Sequence, residues 1–414
     1  DDKIIEKAIR SSKLEASATK IGGSAYGGES SKLEEKVEEI SRKYLDAYHE
    51  AMAILGIARP DKEPKATEYI PKMVKFIGVL IKKGRAYEAG GDVYFDINKA
   101  DNYGKLSNQV PGKMEAGARI SPGENKKDPL DFALWKKAKT GEPSWPSPWG
   151  AGRPGWHIEC SAMSSDILGD EFDIHGGGID LIFPHHENEI AQSEGAGKKF
   201  AKYWVHNGLL TIKNEKMAKS AGNFVTIKDF IAGYKDPDYL KLLFLNTHYR
   251  HPVDYTDEKI GEMKSQKERL QILAAQIGRK LSAAGCRLSG KGDKRIEKIK
   301  EKFIDAMDDD FNMPQGLAYI FELALITNKN IDDVEFISQA KGALFELLAV
   351  FGLELCQKTG AKDLGMDVKV LINKRAEARK KGDFKEADTI RIELEAQGII
   401  LEDTKDGTIW RQRV

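Results

Sequence analysis

Apolar residues between positions 32 and 83 recur every three or four residues, which is the spacing of an amphipathic helix. They are Val37, Ile40, Tyr44, Ile70, Met73, Phe76, Ile77 and Leu80. Pro60 and Pro64 interrupt the pattern, and a proline inside a helical period ends the helix. The pattern therefore predicts amphipathic helices on both sides of these prolines. The Ser-, Gly- and Ala-rich run at 11–31, which comes before them, is interpreted as a mobile loop.

The pattern changes several times further along the chain. Val93 and Phe95 alternate after Gly90 and Gly91, which predicts a short strand in a small α/β insertion that ends near residue 139. Residues 141–192 contain many Pro, Gly and Trp residues, which is typical of irregular backbone built around a site. Beyond about residue 255 the period is almost wholly helical, until Gly398 precedes a strand-like tail.

Length and composition narrow the class of protein. The 414 residues predict two to four domains, and 65 basic residues balance 65 acidic ones, so a polyanionic partner would have to meet local basic patches. No apolar run approaches the roughly 18 residues of a membrane span, so we expect no membrane association. The three cysteines, Cys160, Cys286 and Cys356, are odd in number and far apart, which favours a reducing compartment and a cytoplasmic location.

Histidines are concentrated in one part of the chain. Five of the eight lie between positions 157 and 206, and Cys160 lies among them. His185 and Glu189 are four residues apart, so both can point to one side of a helical turn, and with Cys160 they would supply three zinc ligands. The spacing alone equally allows ordinary buried residues, because no CxxC or HExxH motif is present.

Two further segments suit a nucleotide. Gly176–Gly178 would let a ligand approach the backbone, with Asp180 as a hydrogen-bond acceptor for a ribose or base, although a tight turn explains the glycines as well. Lys216 and Lys219 lie on a polar stretch with small neighbours, where two ammonium groups would suit a polyphosphate. A solvated surface loop is the alternative for the lysine pair.

Five segments, taken in their order along the chain, together resemble the class I cysteinyl-tRNA synthetase family. They are PSPWGAGRPGWHIECSAM, DIHGGGIDLIFPHHENEIAQSE, KMAKSAGNF, FIDAMDDDFNMPQGL and LEDTKDGTIWR. The resemblance extends over essentially the whole chain except the loop at 11–31. It implies an α/β protein, with a Rossmann-like catalytic domain, an α/β connective insertion and an all-α anticodon-binding region.

The resemblance also implies one zinc ion per chain that binds the substrate thiolate. The matching ligands are Cys160, His185 and Glu189, and the family's fourth ligand is a cysteine near the N-terminus. No cysteine precedes Cys160 and no HIGH motif is present, so we expect the sequence to begin inside the catalytic domain, with the fourth ligand outside it.

Other family positions carry over residue by residue. Trp156 matches the family residue that walls the cysteine pocket, and His175 matches the family histidine that lies over the substrate amino acid. A core aromatic remains the alternative for Trp156. Lys216 and Lys219 match the catalytic KMSKS lysines that contact ATP, with Ala218 where Ser is commoner, and Asp180 matches an adenosine-side position. Magnesium would accompany ATP.

The C-terminal segment around residues 373–391 combines cations with an aromatic residue. Family matching assigns Arg379, Phe384, Asp388 and Asp403 to anticodon contacts, where bases would stack on the aromatic ring. A solvated basic helix with Phe384 in its core is the alternative.

The domains implied are the remainder of the first catalytic half at 1–55, the insertion at 56–140, the second catalytic half at 141–225, a stem-contact region at 226–290 and the anticodon-binding domain at 291–414.

The function implied is a cysteine–tRNA ligase, a monomer that uses ATP, L-cysteine and tRNA(Cys). Two alternatives are a ligase that joins cysteine to an aminosugar and a non-catalytic tRNA-binding protein. The long region after Ser220 argues against the first, and the missing HIGH motif suggests the second.

Overall fold

A computed structural model describes most of the chain, in two compact units. The described residues are 29–110, 125–139, 142–217, 222–284, 292–355, 366–396, 399–404 and 407–412. One unit comprises residues 1–223 with 247–255, and the other comprises residues 224–246 with 256–414. The loop predicted at 11–31 lies outside the described residues except for 29–31, which begin a helix.

The first unit mixes helices and strands. Its helices are α1 (Glu29–Ile54), α2 (Ile70–Lys82), α3 (Trp156–Ile167) and α4 (Glu187–Ala196). Its strands are β1 (Ala86–Ala89), β2 (Asp92–Phe95), β3 (Phe132–Lys137), β4 (Gly152–Pro154), β5 (Glu171–Gly178), β6 (Phe200–Asn207), β7 (Leu210–Ile212), β8 (Glu215–Lys216) and β9 (Val253–Tyr255).

Strands β1 to β4 form an antiparallel sheet in sequence order, and α2 to α4 pack with it around one apolar core. Leu80, Phe95, Trp135 and Ile158 are fully buried there, so helix and sheet faces share the same interior. Strands β5 and β6 pair in parallel, with Phe172 opposite Ala201, and α4 makes the crossover between them. Strand β7 pairs with β8 and β9 in a third sheet.

The second unit is almost wholly helical. Its helices are α5 (Ile227–Tyr234), α6 (Asp238–Leu245), α7 (Asp257–Ala284), α8 (Lys294–Asp308), α9 (Met313–Lys329), α10 (Val334–Val350), α11 (Met366–Lys380) and α12 (Phe384–Ala396). Side chains of Asp293, Asn312 and Asp333 cap α8, α9 and α10 by accepting from backbone N–H groups. An antiparallel hairpin of β10 (Ile399–Thr404) and β11 (Gly407–Gln412) follows α12.

The hydrophobic pattern predicted much of this architecture. The helices on both sides of Pro60 and Pro64, the strand at Val93 and Phe95, the helical C-terminal region and the strand-like tail are confirmed. The prediction of irregular backbone over all of 141–192 was wrong, because α3, β5 and part of α4 lie within it. The irregular parts of this range are the Pro- and Trp-rich stretch before Trp156 and the turn at Ile182–His186, where Phe183 is not helical. No helix within the described ranges is long and apolar enough to cross a membrane.

Gly155 determines how α3 begins against the sheet. Its N–H donates to the carbonyl of Leu134 at 2.9 Å, and a Cβ at this position would lie 2.0 Å from the carbonyl oxygen of Ala133. We therefore expect Gly155→Ala to lower the free energy of unfolding of this unit by about 1–3 kcal/mol, because the helix must shift away from β3.

Denaturant unfolding followed by tryptophan fluorescence measures this loss. Gly78→Ala, inside α2, is the matched control, since no described atom lies within 4 Å of the position that its added methyl group would take, and alanine favours a helix. Equal stability of the two variants would contradict the close approach at Gly155.

Candidate active site

The three predicted metal ligands converge between α3 and α4. Cys160 is carried by α3, His185 lies in the turn that leads into α4, and Glu189 lies in the first turn of α4. Their ligand atoms all lie within 4.8 Å of one another, with His185 and Glu189 buried. The spacing along the sequence does not show whether Cys160 lies near His185 and Glu189 or is an isolated core residue. The fold places its sulfur close to the ligand atoms of both.

Glu189 is a buried carboxylate that suits a cation. Its Oε1 lies 3.0 Å from Nε2 of His185, and its Oε2 lies 3.0 Å from Nε2 of His175. Within the described part of the chain, neither oxygen has a hydrogen bond of good geometry. Burial by itself would raise the pKa of Glu189, but the two imidazoles outweigh it and lower the pKa to about 2. An ionised, buried carboxylate with imidazoles and a thiol around it fits a metal ion.

The Cys160 thiol is the soft donor of this group. Burial, with Glu189 next to it, raises the pKa of the Cys160 thiol, so the thiol keeps its proton in the metal-free protein. A bound divalent ion would displace that proton, because metals bind the thiolate. A Cys, His and Glu set of this kind is a zinc-type donor set.

Three further histidines surround the ligands, and the sequence pattern assigned a role to none of them. Nδ1 of His157 lies 2.9 Å from Nδ1 of His185, and Nδ1 of His186 lies 2.8 Å from Nε2 of His206. Burial lowers the pKa of His157 to about 3 and that of His186 to about 4, so both rings are neutral at physiological pH. The concentration of histidines between positions 157 and 206 was the signal in the sequence that could have pointed to these three residues.

The same neighbourhood contains a second group of donors. Ligand atoms of His175, His186 and Glu189 also lie within 4.8 Å of one another. Because Glu189 belongs to both groups, the two sets form one continuous polar site. Imidazoles next to a carboxylate can contact a bound substrate as well as a metal.

Trp156 stands at the open side of the site. Its ring centroid is 4.3 Å from that of His185, yet 57% of Trp156 is exposed. The alternative that it is a core aromatic does not fit this exposure. His175 is largely buried and packs against Trp204, with 4.8 Å between the ring centroids.

The three glycines before Asp180 belong to strand β5, which excludes a tight turn at these positions. A Cβ on Gly177 would lie 2.8 Å from Cε1 of His186, so glycine is needed there for packing against the site. Asp180 follows the strand, and its carboxylate lies 3.7 Å from the ammonium group of Lys216.

Lys216 lies on strand β8 and not on the loop that the sequence suggested. Its carbonyl accepts from Nδ2 of Asn223 at 3.2 Å. Lys219 lies outside the described residues, so its position relative to Lys216 stays a prediction.

The predicted anticodon residues belong to the second unit. Arg379 lies on α11, Phe384 begins α12, Asp388 is exposed on α12, and Asp403 lies on β10. Phe384 is 64% exposed, which does not fit the alternative of a core position. Arg375, within the same basic run, is buried and so is not part of an exposed basic face.

Comparison with protein families gives three matches in chain order. Residues 1–265 match the catalytic domain of tRNA synthetases class I (C), residues 302–356 match the DALR domain, and residues 361–411 match the cysteinyl-tRNA ligase anticodon binding domain. The last match argues against a ligase that joins cysteine to an aminosugar, and the first argues against a non-catalytic protein.

Individual relatives agree with these matches. The cysteine–tRNA ligase of Geobacillus thermodenitrificans is 49% identical over 387 residues, which cover 92% of this chain and 82% of the relative. That of Clostridioides difficile is 46% identical over 383 residues, covering 91% and 82%.

Solved structures of similar fold are more distant in sequence. A putative arginyl-tRNA synthetase from Campylobacter jejuni has a TM-score of 0.55 at 14% identity and covers 80% of this chain and 71% of its own. Methionyl-tRNA synthetase from Mycobacterium tuberculosis has a TM-score of 0.55 at 14% identity and covers 81% of each chain. These likenesses show a class I synthetase fold. With the family matches and the close relatives, they establish that the chain belongs to the cysteine–tRNA ligase family of class I aminoacyl-tRNA synthetases.

Proposed function

We propose that this protein attaches cysteine to tRNA(Cys) in two steps and recognises the cysteine thiol through a zinc ion held by the donors between α3 and α4. The observation that carries the zinc assignment is the convergence of a thiol, an imidazole and a buried carboxylate, whose ligand atoms all lie within 4.8 Å of one another. Cys160, His185 and Glu189 would hold the ion.

Zinc would supply selectivity for sulfur, because it binds a thiolate better than it binds the neutral hydroxyl of serine. The protein's own residues would then orient the rest of the amino acid. Trp156 would wall the pocket, and His175 would lie over the substrate. His157, within 2.9 Å of His185, would keep that ring oriented toward the metal.

No side chain of the protein needs to form a covalent bond in either step. In the first, a carboxylate oxygen of cysteine attacks the α-phosphorus of ATP, and pyrophosphate leaves with its bonding electrons to give cysteinyl-adenylate. In the second, a ribose hydroxyl at the 3′ end of the tRNA attacks the carbonyl carbon, and AMP leaves. Lys216 and Lys219 would stabilise the charge on the departing phosphates, with Mg²⁺ bound to ATP, and Asp180 would hold the adenosine side.

Recognition of the tRNA would use the second unit. The exposed ring of Phe384 suits stacking by an unpaired base, and Arg379 suits a phosphate or a base edge. Asp388 and Asp403 would accept hydrogen bonds from base amino groups. We propose that the protein acts as a monomer in the cytoplasm, a location supported by the three dispersed cysteines of the sequence.

Exchange of radiolabelled pyrophosphate into ATP tests the first step and its metal. We expect exchange that depends on cysteine and is not supported by serine, and charging of tRNA(Cys) when the tRNA is added. A chelator that removes zinc should abolish the exchange, and added zinc should restore it where magnesium alone does not. Undiminished exchange by metal-free protein would refute the zinc assignment, and equal exchange with serine would refute the proposed recognition.

A further inference from the structure

Glu187 lies between the proposed ligands His185 and Glu189 but faces a different part of the unit. It is 1% exposed, and each of its carboxylate oxygens accepts a backbone N–H from the insertion. The N–H of Gly104 donates to Oε1 at 2.8 Å, and the N–H of Ser107 donates to Oε2 at 2.9 Å. Hydrogen bonds to a carboxylate are roughly twice as strong as neutral ones, so this is a firm attachment.

The segment that supplies these N–H groups is shaped to present them. Gly104 has φ +94°, a conformation that favours glycine, and a Cβ there would lie 2.0 Å from the carbonyl oxygen of Gln109. The N–H of Gln109 donates back to the carbonyl of Gly104 at 3.0 Å and closes the turn. The hydroxyl of Tyr103 donates to Oδ1 of the buried Asn188 at 2.6 Å, which adds a third link to the same helical turn.

Helix α4 needs such an attachment at its start. The preceding turn, Ile182–His186, contains Phe183 in a non-helical conformation, with φ −132° and ψ 133°. Helical continuity from upstream therefore does not hold His185 in place. Farther along α4, Gln192 accepts a hydrogen bond from Ser161, next to Cys160, at 2.6 Å. Helix α4 is thus attached to α3 through Gln192 and to the insertion through Glu187.

We propose that Glu187 is a positioning residue for the metal site: by binding the N–H groups of Gly104 and Ser107, it sets the first turn of α4 so that His185 and Glu189 both face Cys160. This role rests on the proposed zinc site. It couples residues 103–109 of the insertion to the strength of metal binding, although none of those residues belongs to the group of converging ligand atoms.

The test is zinc affinity, measured by competition with a chromophoric chelator, together with hydrogen exchange of the peptide covering 103–109 in metal-free protein. Glu187→Gln loses one acceptor oxygen and turns an amide N–H₂ toward a donor. We expect it to weaken zinc binding by about 10-fold, the low end of the range for residues that hydrogen-bond metal ligands, because Glu187 acts on the ligands only through the backbone of α4. The 103–109 amides should also exchange faster. Glu88→Gln, the same change at an exposed position of β1 in the same unit, is the matched control and should change neither measurement.

Gly104→Ala disturbs the same contact from the insertion side and leaves α4 unaltered, so it replaces Glu187→Gln if that variant fails to fold. Zinc affinity within about threefold of wild type in the folded variant, or an equal loss in Glu88→Gln, would overturn the positioning role. Wild-type protein that binds no zinc would refute the proposed metal site, and the positioning role with it. These outcomes separate the two proposals.

Discussion

Cys160→Ser is expected to remove zinc from the protein and to lower cysteine-dependent pyrophosphate exchange by more than about 100-fold, since loss of a ligand should cost more than loss of a ligand's partner. The replacement is nearly isosteric, but a neutral hydroxyl in place of a thiol is a poor zinc ligand. The remaining donors, His185 and Glu189, already contact each other at 3.0 Å and would be left paired without the ion.

Elemental analysis and the exchange assay measure this effect on the same preparation. Cys286→Ser is the matched control, because it makes the same chemical change at a cysteine to which no role is assigned, and it should keep both zinc and exchange. If Cys160→Ser retained one zinc per chain, or exchanged pyrophosphate at the wild-type rate, the ligand assignment would be wrong.

Phe384→Ala is expected to lower kcat/KM for tRNA charging by about 5–150-fold while pyrophosphate exchange stays unchanged, because loss of base stacking on an aromatic ring costs about 1–3 kcal/mol. The ring is 64% exposed at the first residue of α12, so its removal should cost little folding energy. We expect the variant to raise KM for tRNA and to leave the rate of adenylate formation unchanged.

Ile392→Ala serves as the control for this variant. Ile392 is an apolar residue on the same helix with similar exposure, 67%, and no nucleic-acid role is proposed for it. We expect Ile392→Ala to charge tRNA normally. A similar loss in both variants, or a loss of exchange in Phe384→Ala, would refute the assignment of anticodon recognition to this position.

Sequence motifs predict many residues of the candidate site. The other residues depend on contacts between distant parts of the chain, which no motif contains. Cys160, His185 and Glu189 could be named because zinc chemistry requires particular donor atoms. The sequence did not single out Glu187, because it carries the same side chain as Glu189 two positions away. The two point to different neighbours, Glu187 to the N–H groups of the insertion and Glu189 to the imidazoles.

The glycines at 176–178 illustrate the same limit. Their presence suggested close approach of a ligand or a tight turn, but Gly177 lies in β5 and makes room for the His186 ring. Likewise, Lys216 looks like a loop residue because its neighbours are small and polar, yet it pairs with β7 as part of β8. Strand pairing of so short a segment depends on its partner strand, which a local pattern does not contain.

By itself, the sequence determined the family, the donor types at the proposed metal site and the helical nature of the C-terminal region, because these depend on side-chain chemistry and local periodicity. Only the tertiary structure decided which donors meet, which aromatic rings are exposed and what holds α4 in place. Glu187 and Gly104 are 83 positions apart along the chain. Contacts at such separation arise from the packing of helices and strands on a shared core, so the order of residues alone does not reveal them.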